Sequence, residues 1–227
     1  MNILAFDCAS SILSVALSSN DVTSRIEIDG GLHHGESIIG VSDQLLSKAG
    51  LKPSDLDLVA CMQGPGSFTG LRIGFAAAKG MALALNIPYL SVPTLDCMAF
   101  SHSNWPGTVL PVIDAKKKML FTALYNNGKR TSDYLELDIL EINKRIESLG
   151  PALITGNDSF ILENLYKENQ IQVPHNLTID KSFYSGYADV LLEKAKGIYI
   201  INKKGDTPDS GPLYLRKSDA ELKLIQN

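Results

Sequence analysis

The chain has only three cysteines in 227 residues: Cys8, Cys61 and Cys97. They are odd in number, widely spaced and set in apolar runs (LAFDCAS, LVACMQ, TLDCMAF), a pattern that excludes a disulfide framework and fits buried, reduced thiols. An excess of either charge is also lacking, since 21 Lys and Arg against 25 Asp and Glu give a formal net charge of -4. The basic residues are scattered except at 116–118 and 203–204, so no electropositive stripe is available to track a phosphate backbone. No window approaches the roughly 20 apolar residues of a membrane span, and the opening MNILAFDCAS has no basic leader before its apolar stretch. The expectation is a cytoplasmic protein that binds no membrane and does not bind nucleic acid strongly by itself.

Several catalytic signatures are missing. GxSxG occurs nowhere, and Ser67 has Pro65 and Thr69 where a nucleophile elbow needs glycine. The loop GPGSFTG at 64–70 matches neither GxxxxGK[ST] nor GxGxxG, and Lys79 lies well inside the following helix instead of at its mouth. His33 and His34 are adjacent, the residue four beyond His34 is Ile38, and His102 and His175 have no ligand-spaced companion. No transition-metal centre and no peptidase activity are expected, and the four histidines read as solvated or capping residues.

With 44% hydrophobic residues, the chain can bury one substantial core or two modest ones. Periodicity predicts strands at 2–7, 12–18 and 21–29, a helix at 34–49 stopped by Gly50, a buried strand at 57–63 and a small-residue helix at 70–86. A strand between Pro88 and Pro93 and a helix at 94–102 complete this half. SNWPG at 103–107 reads as a hinge, dividing the chain into a first lobe, 1–104, and a second, 105–227, whose tail at 213–227 is free to pack back on the first. After the hinge, TVLPVIDAKKKMLFTALYNNG repeats the opening pattern 107 residues on, pairing Asp7 with Asp114 and Leu13 with Leu120. An aspartate ending the same strand twice is the mark of an internal duplication. The second half continues with strands at 134–138 and 152–155 and helices at 139–149, 159–168 and 184–196.

Three features could carry function, each with a plainer alternative. The loop at 64–70 can present N–H groups to an anion, or it can be a sharp turn in which Ser67 or Thr69 caps the helix. Along that helix Gly70, Gly74 and Ala78 recur every four residues with Ala77 and Met81 beside them, a strip that lets another helix approach closely, inside the lobe or outside it. By resemblance to actin-like ATPases, Asp7 and Asp114, with Ser10 and Gly156, would line a vestigial nucleotide site. Yet CASSI lacks the glycines that let backbone approach phosphate, and LITGNDS shows one glycine where two are common. Turn chemistry accounts equally for each aspartate.

The doubled order of strands and helices, with an aspartate ending the first strand of each lobe, resembles the actin-like ATPase fold. Within it, QGPGSFTGLRIGFAAAKGMAL at 63–83, ILAFDCASSILSVAL at 3–17 and GPLYLR at 211–216 are similar to the bacterial TsaB family, also called YeaZ. The resemblance implies a subunit that does no chemistry itself in forming N6-threonylcarbamoyladenosine on tRNA. It also implies pairing with the catalytic paralogue TsaD, an associated ATPase of the TsaE type, self-association when alone, and tRNA contact only through the complex. No cofactor is required on this view, and ATP or ADP binding would be vestigial and weak. The resemblance favours an outward role for the small-residue helix and its neighbour, with Ser37, Val41, Leu45, Gly70, Arg72, Gly74, Ala77, Ala78 and Met81 as candidate contacts. The competing view is a free-standing ATPase or phosphotransferase using Asp7 and Asp114.

Overall fold

The protein is described by a computed structural model covering residues 1–31, 33–181 and 184–216. The first lobe runs β1 (Ile3–Asp7), β2 (Ile12–Ser19), β3 (Val22–Asp29), α1 (His34–Lys48), a 3-10 turn (Pro53–Asp55), β4 (Leu58–Gly64), α2 (Phe68–Leu85), β5 (Tyr89–Pro93) and α3 (Thr94–Phe100). Its sheet has the order β3-β2-β1-β4-β5, antiparallel among the first three strands and parallel from β1 through β4 to β5.

Residues of β1 alternate between two layers because successive side chains of a strand point to opposite faces. Leu4 and Phe6 pack with Val41, Leu45, Phe75 and Ala78 of α1 and α2, while Ile3 and Ala5 pack with Leu95, Leu191 and Ala195. The sheet is thus covered on both sides, which is why β1 is apolar at every position but its terminal Asp7.

The second lobe runs β6 (Thr108–Asp114), β7 (Leu120–Thr122), β8 (Tyr125–Asn126), β9 (Lys129–Arg130), β10 (Leu135–Leu137), α4 (Ile139–Glu147), β11 (Ala152–Thr155), a 3-10 turn (Ser159–Ile161), α5 (Leu162–Glu168), β12 (Leu177–Ile179) and α6 (Ala188–Asn202). The main sheet path is β10-β7-β6-β11-β12, with the β8-β9 hairpin attached to β6. Here β6 pairs antiparallel with β7 and parallel with β11, as β1 pairs with β2 and β4. The duplication reaches the turns. The N–H of Ala9 donates to Asp7 Oδ1 at 2.9 Å, and the N–H of Lys116 donates to Asp114 Oδ1 at 2.8 Å.

Four expectations need correction. The return to the first lobe begins with α6, well before residue 213, because Leu191, Leu192 and Ala195 close the core face of β1 and β4. Residues 217–227 of the tail lie outside the described residues. The last helix spans Ala188–Asn202 instead of 184–196, since Gly197 sits in open space inside it and the terminating left-handed residue is Lys203. His34 is buried with Nε2 2.9 Å from the Ser10 carbonyl, and His102 faces Asp180 at 3.3 Å, so neither is simply solvated. Finally, α2 is by length and composition apolar enough to cross a membrane, with 18 residues and a mean hydropathy of 1.2. It instead lays Leu71, Phe75, Ala78 and Ala82 on the sheet.

Candidate functional site

The loop before α2 is a turn held by backbone. Ser67 caps the helix by accepting from the Gly70 N–H at 3.2 Å, and its own N–H donates to the Ala9 carbonyl at 2.7 Å. A Cβ on Gly66 would lie 2.6 Å from that carbonyl oxygen, so the glycine is required for the approach of two backbones. The N–H groups of Ser67 and Gly70 are thus donated within the chain itself.

The small-residue strip of α2 faces inward. Gly70 abuts the Cys8 carbonyl, a Cβ on Gly74 would sit 3.6 Å from Cys8 Sγ, and Ala78 is fully buried. The close approach that glycine and alanine allow is made to β1 and β4, which corrects the outward assignment of Gly70, Gly74 and Ala78. Val41 and Leu45 of α1 are likewise buried among Leu4, Phe6 and Phe75, and they too leave the candidate surface. Ser37, Ala77 and Met81 are half-buried on the flanks, and Arg72 is exposed.

The outward face of the two helices carries different residues. Leu83 is 86% exposed and Ile39 53% exposed, and Ala76 and Gly80 are exposed between them in sequence. A Cβ on Gly40 or Gly80 would meet nothing within 4 Å. The helices lie against each other at Gly35, where a Cβ would be 3.8 Å from Ile73 Cδ1. The sequence pattern missed this face because a four-residue recurrence marks a close-packing ridge without saying which neighbour fills it. An unexplained glycine at 80 and leucine at 83 on the opposite side were the available signal.

Arg72 is engaged by its own chain. Its Nε donates to the Tyr214 hydroxyl at 3.1 Å, its guanidinium carbon lies 3.9 Å from the Phe68 ring centroid, and the two aromatic rings are 4.7 Å apart. Tyr214 belongs to a strap, residues 203–216, that crosses the first lobe. Asp206 Oδ2 accepts from Ser91 N–H at 2.8 Å and from Ser91 Oγ at 2.5 Å, and the Leu213 N–H donates to the Gln63 carbonyl at 2.7 Å. Arg216 then reaches the second lobe, donating to the Ala115 carbonyl at 2.9 Å and pairing with Glu136.

Between the lobes lies a cleft of about 670 Å³ whose walls include Asp7, Ser10 and Asp114. Asp7 is buried, with Oδ1 on the Ala9 N–H and Oδ2 accepting from the Tyr187 N–H at 2.8 Å. Burial raises its pKa above the usual carboxylate value, and the two N–H bonds oppose the rise. Asp114 Oδ2 accepts from Lys116 Nζ at 2.7 Å, and the Ser10 hydroxyl accepts from the Ile12 N–H at 3.1 Å. Gly156 adopts φ +117° with the Met98 side chain packed on it and Val112 O 2.8 Å from where a Cβ would be. The sequence therefore identified residues that the fold does gather near one cleft, Asp7, Ser10 and Asp114 on its wall. Their polar groups are nonetheless bonded within the chain, locally to Ala9, Ile12 and Lys116 and across the fold to Tyr187. Among the described residues no three His, Cys, Asp or Glu converge on a common metal position.

A duplicated α/β protein of the actin-like class, with the aspartate ending the first strand of each lobe bonded to its own turn, is the class these features define. A family model for TsaD, tRNA N6-adenosine threonylcarbamoyltransferase, matches residues 22–199. Three relatives are each a tRNA threonylcarbamoyladenosine biosynthesis protein TsaB. That of Bacillus subtilis is 27% identical, covering 100% of this chain and 99% of its own. That of Escherichia coli is 29% identical, with 99% and 98% covered. That of Buchnera aphidicola from Acyrthosiphon pisum is 30% identical, with 91% and 86% covered. The solved YeaZ of Pseudomonas aeruginosa shares the fold at a TM-score of 0.75 and 22% identity, with 94% of this chain and 99% of that one covered. The chain belongs to the TsaB (YeaZ) family.

Proposed function

We propose that the chain is a non-catalytic subunit for N6-threonylcarbamoyladenosine formation on tRNA, docking a TsaD-type paralogue through the outer faces of α1 and α2. The observation that carries this reading is the apolar, sterically open helix pair bearing Ile39, Gly40, Ala76, Gly80 and Leu83, which none of the described residues covers. A family model for the catalytic transferase spans both helices of this chain, so the paralogue carries an equivalent pair. Two related helix pairs can meet about a pseudo-two-fold axis, with open glycines allowing close approach. The TsaE-type ATPase and tRNA then join the assembled complex.

The free-standing ATPase gains no support from the cleft, where the carboxylate oxygens that would hold metal-bound water are already bonded to Ala9, Tyr187 and Lys116. Co-purification with a TsaD-type protein separates the two views. Leu83→Glu and Gly80→Arg should abolish the complex without lowering the melting temperature, because neither site touches the core and replacing Gly80 within the helix adds helix propensity. An intact complex with either variant refutes the surface, and nucleotide turnover by the isolated chain that disappears in Asp7→Asn would establish the rival.

A further inference from the structure

We propose that the interlobe cleft binds a nucleoside-sized, planar aromatic molecule that carries no negative charge. The volume of about 670 Å³ falls within the range of small-molecule sites. Its walls are mostly apolar and carry the rings of Phe68, Phe121, Phe160 and Tyr184. Phe160 is 59% exposed at the cleft, and Tyr184, 58% exposed, is held beside it by donating its hydroxyl to Asp29 Oδ2 at 3.1 Å. Aromatic side chains gathered around an open cavity suit a flat ring that can stack on them.

The polar groups of the cleft select against anions. Asp7, Asp114 and Asp158 face it with Lys116 as the one cationic residue on the wall among the described residues, and that ammonium is already paired with Asp114 at 2.7 Å. Asp158 Oδ2 accepts from the backbone N–H of Asp114 at 2.8 Å, which holds that carboxylate at the end of β6. A phosphate entering here meets like charge and finds no unpaired cation among the described residues, and the Ser67 N–H of the loop that borders the cleft is donated to the Ala9 carbonyl. A neutral or cationic ring meets no such penalty. The Thr94 hydroxyl, buried in the same wall, has no hydrogen-bond partner among the described residues and can bond a ring-edge nitrogen or carbonyl.

The test uses the full-length chain and two matched probe pairs, adenosine with adenosine monophosphate and tryptamine with indole-3-acetate, followed by calorimetry and saturation-transfer NMR. The uncharged or cationic member of at least one pair should bind about tenfold more tightly than its anionic partner. Phe160→Ala, an exposed site whose loss leaves the core intact, should weaken that binding about fivefold. Asp114→Asn, which still accepts the Lys116 N–H, should narrow the gap between partners. Adenosine monophosphate or magnesium ATP binding as tightly as adenosine overturns the proposal. So does failure of both adenosine and tryptamine to bind, or indifference to Phe160→Ala.

Discussion

Gly70 of α2 lies so close to Cys8 that its α-carbon abuts the Cys8 carbonyl oxygen, and no side chain fits between them. This contact pins the first turn of α2 to the end of β1, just beyond Asp7. It fixes where the helix starts, and hence which of its faces looks outward. The core and the proposed partner surface are two sides of one helix whose rotation is set by glycine.

A paired substitution tests that orientation. Gly70→Ala must displace backbone and should cost about 2–4 kcal/mol of stability, at the upper end for overpacking. Gly80→Ala meets nothing within 4 Å and should stabilise by about 0.5–1 kcal/mol through helix propensity. Urea unfolding measures both, and equal effects at the two glycines would mean that α2 is rotated from the orientation described.

The outward face also predicts behaviour in the absence of a partner. An exposed apolar strip bearing Leu83 and Ile39 favours self-association through the same helices. Sedimentation of the isolated chain should show a dimer that Leu83→Glu converts to monomer, while Leu140→Glu, on the exposed side of α4, should leave it unchanged. The reverse pattern would move the interface to the second lobe.

The strap offers an independent measurement. Asp206→Ala leaves Ser91 N–H and Oγ without their acceptor and should cost about 1–3 kcal/mol. Because the strap also carries Tyr214 to Arg72 and Arg216 to the second lobe, its release should speed amide exchange at Leu213 and in the turn at Ala115. Exchange confined to residues near 206 would show that the strap is not one unit.

Much of the fold was legible because burial on both faces writes itself into sequence. The apolar runs of β1, β4 and β11 and the doubled aspartate gave two related lobes in the right order. Short strands without such runs, β8, β9 and β12, were not seen, since two or three residues carry no period. At the candidate site the sequence located the helices α1 and α2, but five of its nine candidate contacts, Val41, Leu45, Gly70, Gly74 and Ala78, are buried. Gly70, Gly74 and Ala78 look alike whether the approaching backbone belongs to β1 or to another protein, and only the position of Cys8 decides between these. Asp7 and Asp114 were correctly singled out as paired positions. Their bonding to Ala9, Tyr187 and Lys116 depends on contacts as far as 180 residues apart, beyond the reach of local pattern.

Asp7 makes the last prediction, one of pH dependence. Burial raises its pKa above the ordinary 3.8, with the N–H groups of Ala9 and Tyr187 pulling only part of the way back. Between 3.8 and the higher folded value, the folded protein binds the Asp7 proton while the unfolded chain has released it. Stability from this group is therefore gained as pH falls through that window and lost as pH rises through the folded pKa. Asp7→Asn cannot titrate and also leaves one of the two backbone N–H groups facing an amide. The stability of the natural chain relative to Asp7→Asn should accordingly grow as the solution is taken from neutral pH towards pH 4, because only the carboxylate is relieved of buried charge. Denaturant unfolding of both proteins across that range provides the measurement. A difference that stays flat, or shrinks on acidification, would show that the two N–H bonds outweigh burial and that Asp7 is held as a stabilised anion.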